Sequence, residues 1–264
     1  MNLSRIALVL GVGFVVVGCT AQVTIKPKTR YVNAPDTVLD AKADWTGQSI
    51  IVEIDGVGFA EGSTAGLQVY GDPSLKRVKA TARVVARADD GARTDADLSI
   101  GDAVKTFTMT EDATSIRIKC GHGGAHGSSS AGDSGCEGVT VNVPGGSSTA
   151  PVVVQATVGN GDLVVKGITG SVTAKNNGAG DVDVTVTPIK GSTVDASSGF
   201  DVIVRLPATF AADSITLSGK KLDTADFPDV TSGKGRGNAG EGAKSITVAS
   251  SSGLDSTVVA LKKQ

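Results

Sequence analysis

The sequence predicts an all-β chain of short strands wound into stacked turns, a β-solenoid or β-roll. Three observations predict it. The first is composition: of 264 residues, 35 are glycine and only 3% are aromatic, while valine, threonine, serine and alanine dominate the rest. Small and β-branched side chains interleaved with glycine suit short strands joined by tight turns. The second is that no segment shows a sustained helical period. The third is an internal repeat with a period near 20 residues that begins at Val152. A fixed period with constant inside–outside phase is the mark of stacked windings. An antiparallel β-sandwich stays open as the alternative, because short strands with turn signals every ~8–12 residues fit it too.

The chain opens with one positive charge, Arg5, and an apolar run from Ile6 to Val17. That run is too short to span a bilayer, which takes about 20 apolar residues. A charged start, a short apolar core and small residues at the exit describe a secretory signal. The stretch Val16-Val17-Gly18-Cys19 resembles the lipobox of bacterial lipoproteins. The resemblance implies a lipoprotein signal peptide over residues 1–18, cleavage after Gly18, and a diacylglyceryl group on the Cys19 thiol with palmitate-type acyl chains. An ordinary signal peptide followed by a chance cysteine is the plain alternative. Each buried methylene contributes about 0.8 kcal/mol, so more than one acyl chain anchors stably. Thr20, and not an aspartate, follows Cys19. By analogy with enterobacterial lipoproteins this implies sorting to the outer membrane, on a periplasmic or surface face that the sequence leaves undetermined.

Residues 19–44 read as the lipidated cysteine and a tether, with Pro27, Pro35 and the scattered charges Lys26, Lys28 and Arg30. Residues 45–264 read as one β-repeat domain. From Trp45 the strand pattern begins: Ile50, Val52 and Ile54 alternate with Ile51, Glu53 and Asp55. Leu67-Gln68-Val69 follows, then the alternating run Lys79 to Arg87, then Ser115 to Lys119 leading into Cys120. Residues 121–135 are nearly all Gly, Ser, Ala, His and Asp and are expected as a loop. Val139, Val141 and Val143 resume the alternation. With Cys19 assigned to lipid, Cys120 and Cys136 remain, and an exported compartment permits a disulfide between them. Closing a loop of about 15 residues would contribute about 3 kcal/mol in the chain-entropy account. Two free thiols or a metal pair are the alternatives, and the lack of a C-x-x-C spacing favours the bridge.

Within the repeat, Gly161-Asp162-Leu163-Val164-Val165 is echoed at Gly180 to Val184 and again at Phe200 to Val204, at offsets of 19 and 20 residues. A second series runs through Ser171 to Ala174, Ser192 to Ala196 and Ser214 to Leu217, with a late copy at Ala249 to Leu261. Alternation by two places every second side chain on one face. It puts Leu163, Val182 and Val202 in one inward column and Val165, Val184 and Val204 in the next. Val172, Val194 and Ile215 form a third, beside Ala174, Ala196 and Leu217. Asp183, Thr185, Arg205 and Thr173 then face water. Small inward residues such as Ala174 imply a narrow interior, which accounts for the scarcity of rings.

The run Val154-x-Ala156-x-Val158-Gly159-Asn160-Gly161-Asp162-Leu163-x-Val165, with Asp195 to Gly199 and Val202-Ile203-Val204-x-Leu206-Pro207, resembles the bacterial adhesin-like (auto-transporter adhesin) domains. The resemblance covers about residues 48–261, with residues 121–135 as an insertion. It implies a right-handed β-solenoid or roll, and it carries no established reaction across.

Four groups of residues are candidates for chemistry. His122 and His126, with Asp133 nearby, could offer two imidazoles and a carboxylate to a metal, but such a site needs oriented ligands and a glycine-rich loop gives no frame. Gly132-Asp133-Ser134-Gly135 looks like a serine-nucleophile motif, yet a triad needs a base oriented by a third group and both histidines lie in the same loop. Gly235-Arg236-Gly237-Asn238-Ala239-Gly240 fits G-x-G-x-x-G, but a dinucleotide site needs a helix after it, and Lys244 to Val248 reads as a strand. Asp162, Asp181 and Asp201 could stack into the acidic row of a polysaccharide-cleaving enzyme, although Asp after Gly is ordinary turn chemistry.

The formal net charge of −2 provides no bulk field for nucleic acid. The expected function is therefore a membrane-anchored cell-envelope lipoprotein with a structural or adhesin-like binding role. It has no catalytic residue, no metal and no cofactor, and its partner is a glycan or envelope protein. A periplasmic metal or small-ligand binder using His122 and His126 is the alternative, and a carbohydrate-active enzyme a third.

Overall fold

The computed structural model describes residues 27–55, 66–230, 234–235 and 242–264. The signal segment and Cys19 lie outside the described residues, as does most of the G-x-G-x-x-G stretch. The described elements are β1 (Lys28–Val32), β2 (Thr37–Asp40), β3 (Ser49–Ile54), β4 (Leu67–Asp72), β5 (Lys79–Asp89), α1 (Arg93–Thr106), β6 (Thr108–Glu111), β7 (Ser115–Cys120), β8 (Ser134–Pro144), β9 (Val152–Val158), β10 (Leu163–Asn176), β11 (Val182–Thr187), β12 (Thr193–Ser198), β13 (Val202–Leu206), β14 (Ile215–Ser218), β15 (Lys221–Asp223), β16 (Lys234–Gly235), β17 (Ser245–Ser250) and β18 (Val258–Lys263). All strands join one large mixed sheet. The all-β expectation holds, with one helix among the described residues.

The sheet consists of two ladders joined through β10. Face A carries β8, β4, the first half of β10, β11, β13, β18 and β15 as parallel neighbours in that order. Face B carries β7, β3, β9, the second half of β10, β12, β17 and β14, likewise parallel. Each face-B strand runs on into a face-A strand, so the stack is a series of rungs: β7–β8, β3–β4, β9–β10, β10–β11, β12–β13, β17–β18 and β14–β15. At both ends the spatial order departs from chain order. The first rung in sequence, β3–β4, lies inside β7–β8, and the last, β17–β18, lies inside β14–β15. Antiparallel strands finish the ends: β6 on β7, β5 on β8, β1 and β2 on β5, and β16 on β14.

Inward columns follow from the two-residue alternation. Leu163, Val182 and Val202 are in register and buried, as are Val165, Val184 and Val204. On face B, Val172 stands beside Val194 and Ala174 beside Ala196. Ile215 and Leu217 are not their next neighbours, because Ile246 and Val248 of β17 intervene. β17, most of which precedes the late copy at Ala249 to Leu261, has the same apolar alternation, so it fits a place that sequence order would give to β14. The middle column, Ala156–Ala174–Ala196, is buried and made of small side chains. Between β10 and β11 the register shifts after Val165. Gly167 takes φ +73° there, and its carbonyl lies where a Cβ on Gly71 would sit, so both positions need glycine.

Two segments depart from the sequence reading. The tether expected over residues 19–44 contains β1 and β2, both paired to β5. Their side chains are largely polar because they lie at the sheet margin, so they leave no apolar alternation to read. The helix α1 has only small or medium inward residues, Ala96, Ser99, Ile100 and Ala103. Such a face is too slight to register as a helical period, and a 14-residue helix is marginal in isolation. Packing on β5 and β8 supplies what propensity does not.

Candidate binding surface

The described turns from face B to face A lie at one edge of the stack. At this edge the row Asp162, Asp181 and Asp201 forms as the repeat suggests, with a structural occupation. Asp162 Oδ1 accepts the Asp181 N–H (3.0 Å), Asp181 Oδ1 accepts the Asp201 N–H (3.1 Å), and Asp201 Oδ1 accepts the Val258 N–H (2.7 Å). Each carboxylate thus satisfies a turn donor of the next rung. Burial, and then the Asp201 and Asp162 charges, push the Asp181 carboxyl above its ordinary value, while the Asp201 N–H opposes them. A second ladder lies just inside: Asn176 Nδ2 donates to Gly161 O (2.8 Å) and Ser198 Oγ to Gly180 O (2.7 Å). These buried polar groups replace the apolar column Cys120–Ile54–Val158 of the earlier rungs and satisfy carbonyls that would otherwise be orphaned.

The expected loop fills the same edge at the β7–β8 rung. Cys120 and Cys136 are bonded, with Cα atoms 6.0 Å apart. The loop is not frameless. Ser99 Oγ donates to Gly124 O (3.1 Å) and meets Ser129 Oγ at 2.5 Å. Asp95 accepts both the N–H and the hydroxyl of Ser128 (2.8 and 2.9 Å), which hold its carboxyl below the ordinary value. A Cβ on Gly127, at φ +49°, would overlap the Asp95 carboxylate. Asp102, held low by Lys105 and then His126, pairs with His126 Nε2 at 2.7 Å. The loop is therefore a strap across α1. Asp95, Ser99 and Asp102 stand at i, i+4 and i+7 on one helix face, a spacing readable in the sequence but overlooked without the helix.

His122 and His126 are not brought together on a common ligand. His122 Nδ1 meets Ser134 O at 2.7 Å and its Nε2 lies 3.3 Å from Asp55 Oδ2, while His126 faces Asp102. Asp133 pairs instead with Lys28 and Ser130. Among the described residues no three His, Cys, Asp or Glu side chains converge as a metal set. Ser134 is fully buried and its Oγ accepts the Gly123 N–H (2.8 Å), so it has no nucleophile's exposure. Beside His122 and Asp55 the strand ends form a cleft of about 300 Å³ lined by Glu53, Asp55, Lys119, Gly121, Thr157 and Asn177 among others. Lys119 and then Arg117 hold the Glu53 carboxyl low.

The outward side of face B presents two registered rows. One runs Arg117, Ile51, Gln155, Thr173, Asp195, Thr247 and Thr216. The other runs Lys119, Glu53, Thr157, Lys175, Ser197, Ala249 and Ser218. Neighbouring strands place equivalent atoms ~4.8 Å apart. The charges pair locally, as Arg117 and Lys119 with Glu53 (3.0 and 2.8 Å) and Lys175 with Asp195 (3.4 Å). What remains is a strip of Thr and Ser hydroxyls and the Gln155 amide, interrupted by Ile51 and Ala249.

No family model matches the chain, and no curated protein matches it. A solved structure described as a "putative cell adhesion protein" from Clostridium sporogenes is similar in fold: the TM-score is 0.51 at 9% identity, over 90% of this chain and all of that one. No helix among the described residues is long and apolar enough to cross a membrane.

Proposed function

We propose that the chain is a cell-envelope lipoprotein, anchored through Cys19 in the outer membrane, with a non-catalytic, adhesin-like binding role. In this reading the rungs are successive windings of a right-handed β-solenoid, and the outward side of face B is the contact surface for an extended partner. The observation that carries it is that strip of registered hydroxyl and amide side chains, at which charges are already paired and recognition must come from repeated shallow contacts. The Clostridium structure of similar fold, described as a "putative cell adhesion protein", is in keeping with the same role. Employment of Asp162, Asp181 and Asp201 in backbone capping, and burial of Ser134, favour binding over catalysis.

Two measurements test this. Cells expressing the chain are labelled with an acyl-chain probe: label is expected on the native protein and absent from Cys19→Ala, and equal labelling rejects the anchor. Beads coated with the purified chain are then presented to envelope glycans and envelope proteins. Thr173→Arg with Thr247→Arg, both on the strip, is expected to abolish retention while leaving the unfolding midpoint in place; undiminished retention removes face B as the contact surface.

A further inference from the structure

The last strands of the chain occupy an interior position. β17 has β12 on one side and β14 on the other, with Val248 in register with both Ala196 and Leu217. β18 has β13 and β15 as its two neighbours, with Val259 beside both Val202 and Leu222. All four flanking strands precede this segment in sequence. Withdrawing it would leave a slot with parallel strand edges on both walls, and such unpaired edges are templates for an added strand. The slot is specific. It takes buried Ile246 and Val248 on one face and buried Val259 and Leu261 on the other, and a slip of one residue would turn these outward. Its corner offers Asp201 Oδ1 to the Val258 N–H and Ser198 O to the Ser251 N–H.

We propose that residues 243–264 are an exchangeable insert, and that the slot between β12–β13 and β14–β15 accepts the same segment from a second copy of this chain. Every contact made within one molecule is reproduced between two, so the two arrangements differ only in the connection and in association entropy. The connection is long. Twelve residues, 231–242, separate Val230 from Ala243, with glycine at 233, 235, 237, 240 and 242. At ~3.3–3.6 Å per residue they reach about 40 Å. Among the described residues of this stretch, β16 pairs back to β14 and Gly242 O accepts the Gly191 N–H (3.0 Å). The partner is thus a second copy, joined reciprocally into a dimer or onward into a chain.

The test uses two versions of the full chain, each in a Cys19→Ala background that keeps the Cys120–Cys136 bridge, each with one added cysteine and a different tag: Ser197→Cys and Ala249→Cys. Positions 197 and 249 are outward neighbours on adjacent parallel strands, and strands ~4.8 Å apart allow a disulfide. Neither version can make this bond within one molecule. The two are mixed over a range of concentrations under mildly destabilising conditions, returned to buffer, oxidised with copper phenanthroline and separated without reductant. Cross-linked heterodimer is expected to rise with concentration, severalfold above a control mixture in which Ser171→Cys replaces Ala249→Cys. Light scattering of the same mixture before oxidation is expected to show the dimer mass. Heterodimer no more abundant than in the control, or a monomer mass at every concentration, overturns the proposal.

Discussion

At the scale of single residues, Asp181 shows how a turn residue doubles as a joint between rungs. Its carboxylate accepts the Asp201 N–H, yet burial and two neighbouring carboxylates disfavour its charge. An acid whose folded pKa is raised contributes stability that is whole below its unfolded value, 3.8, and lost as pH rises through the folded value. Asp181→Asn keeps the acceptor and removes the charge. Urea unfolding at pH 7 is expected to show it as stable as the native chain or more so, with the advantage vanishing in acid. Asp181→Ala loses the acceptor and is expected to cost about 0.5–1.5 kcal/mol. An Asn variant weaker than the Ala variant at pH 7 would sink this account. The row itself was legible because Gly-Asp recurs at each turn. Its use was not, since a sequence shows which acids align but not which N–H each one meets.

At the scale of elements, the strap across α1 has the opposite pH sign. The Asp95 carboxyl is held low by Ser128, so its contribution is present above 3.8 and lost as pH falls through the folded pKa. Amide exchange in α1 is expected to quicken on acidification before the rungs open, and Asp95→Asn should show the fast exchange already at pH 7. Exchange that quickens uniformly along the chain would contradict a local strap. The disulfide closes the same element: purified unreduced protein should show no free thiol at Cys120 or Cys136, and Cys136→Ser should lower unfolding free energy by about 2–4 kcal/mol. The bridge and the loop were readable from cysteine and glycine placement. The helix beneath was not, because Ala96, Ser99 and Ala103 carry too little apolar bulk to make a period.

At the scale of the whole molecule, inward columns could be read from the repeat while the order of rungs could not. Leu163, Val182 and Val202 align because their period and phase agree. The position of β17 between β12 and β14 depends on which of several similar strands meets an edge, and alternation by two is the same in all of them. The alanines Ala156, Ala174 and Ala196 put the smallest side chains of their inward column between Val52 and Val248. Enlarging one member, as in Ala174→Leu, is expected to cost about 1–3 kcal/mol through overpacking, read as a lower denaturation midpoint. An unchanged midpoint would mean that the interior has slack.

The filled interior also bears on where the proposed recognition takes place. Apolar side chains fill the space between the two faces, so the proposed contact is one made at the outward rows. Under the proposed binding role, affinity would accumulate along those rows and favour long, repetitive partners over small compact ones.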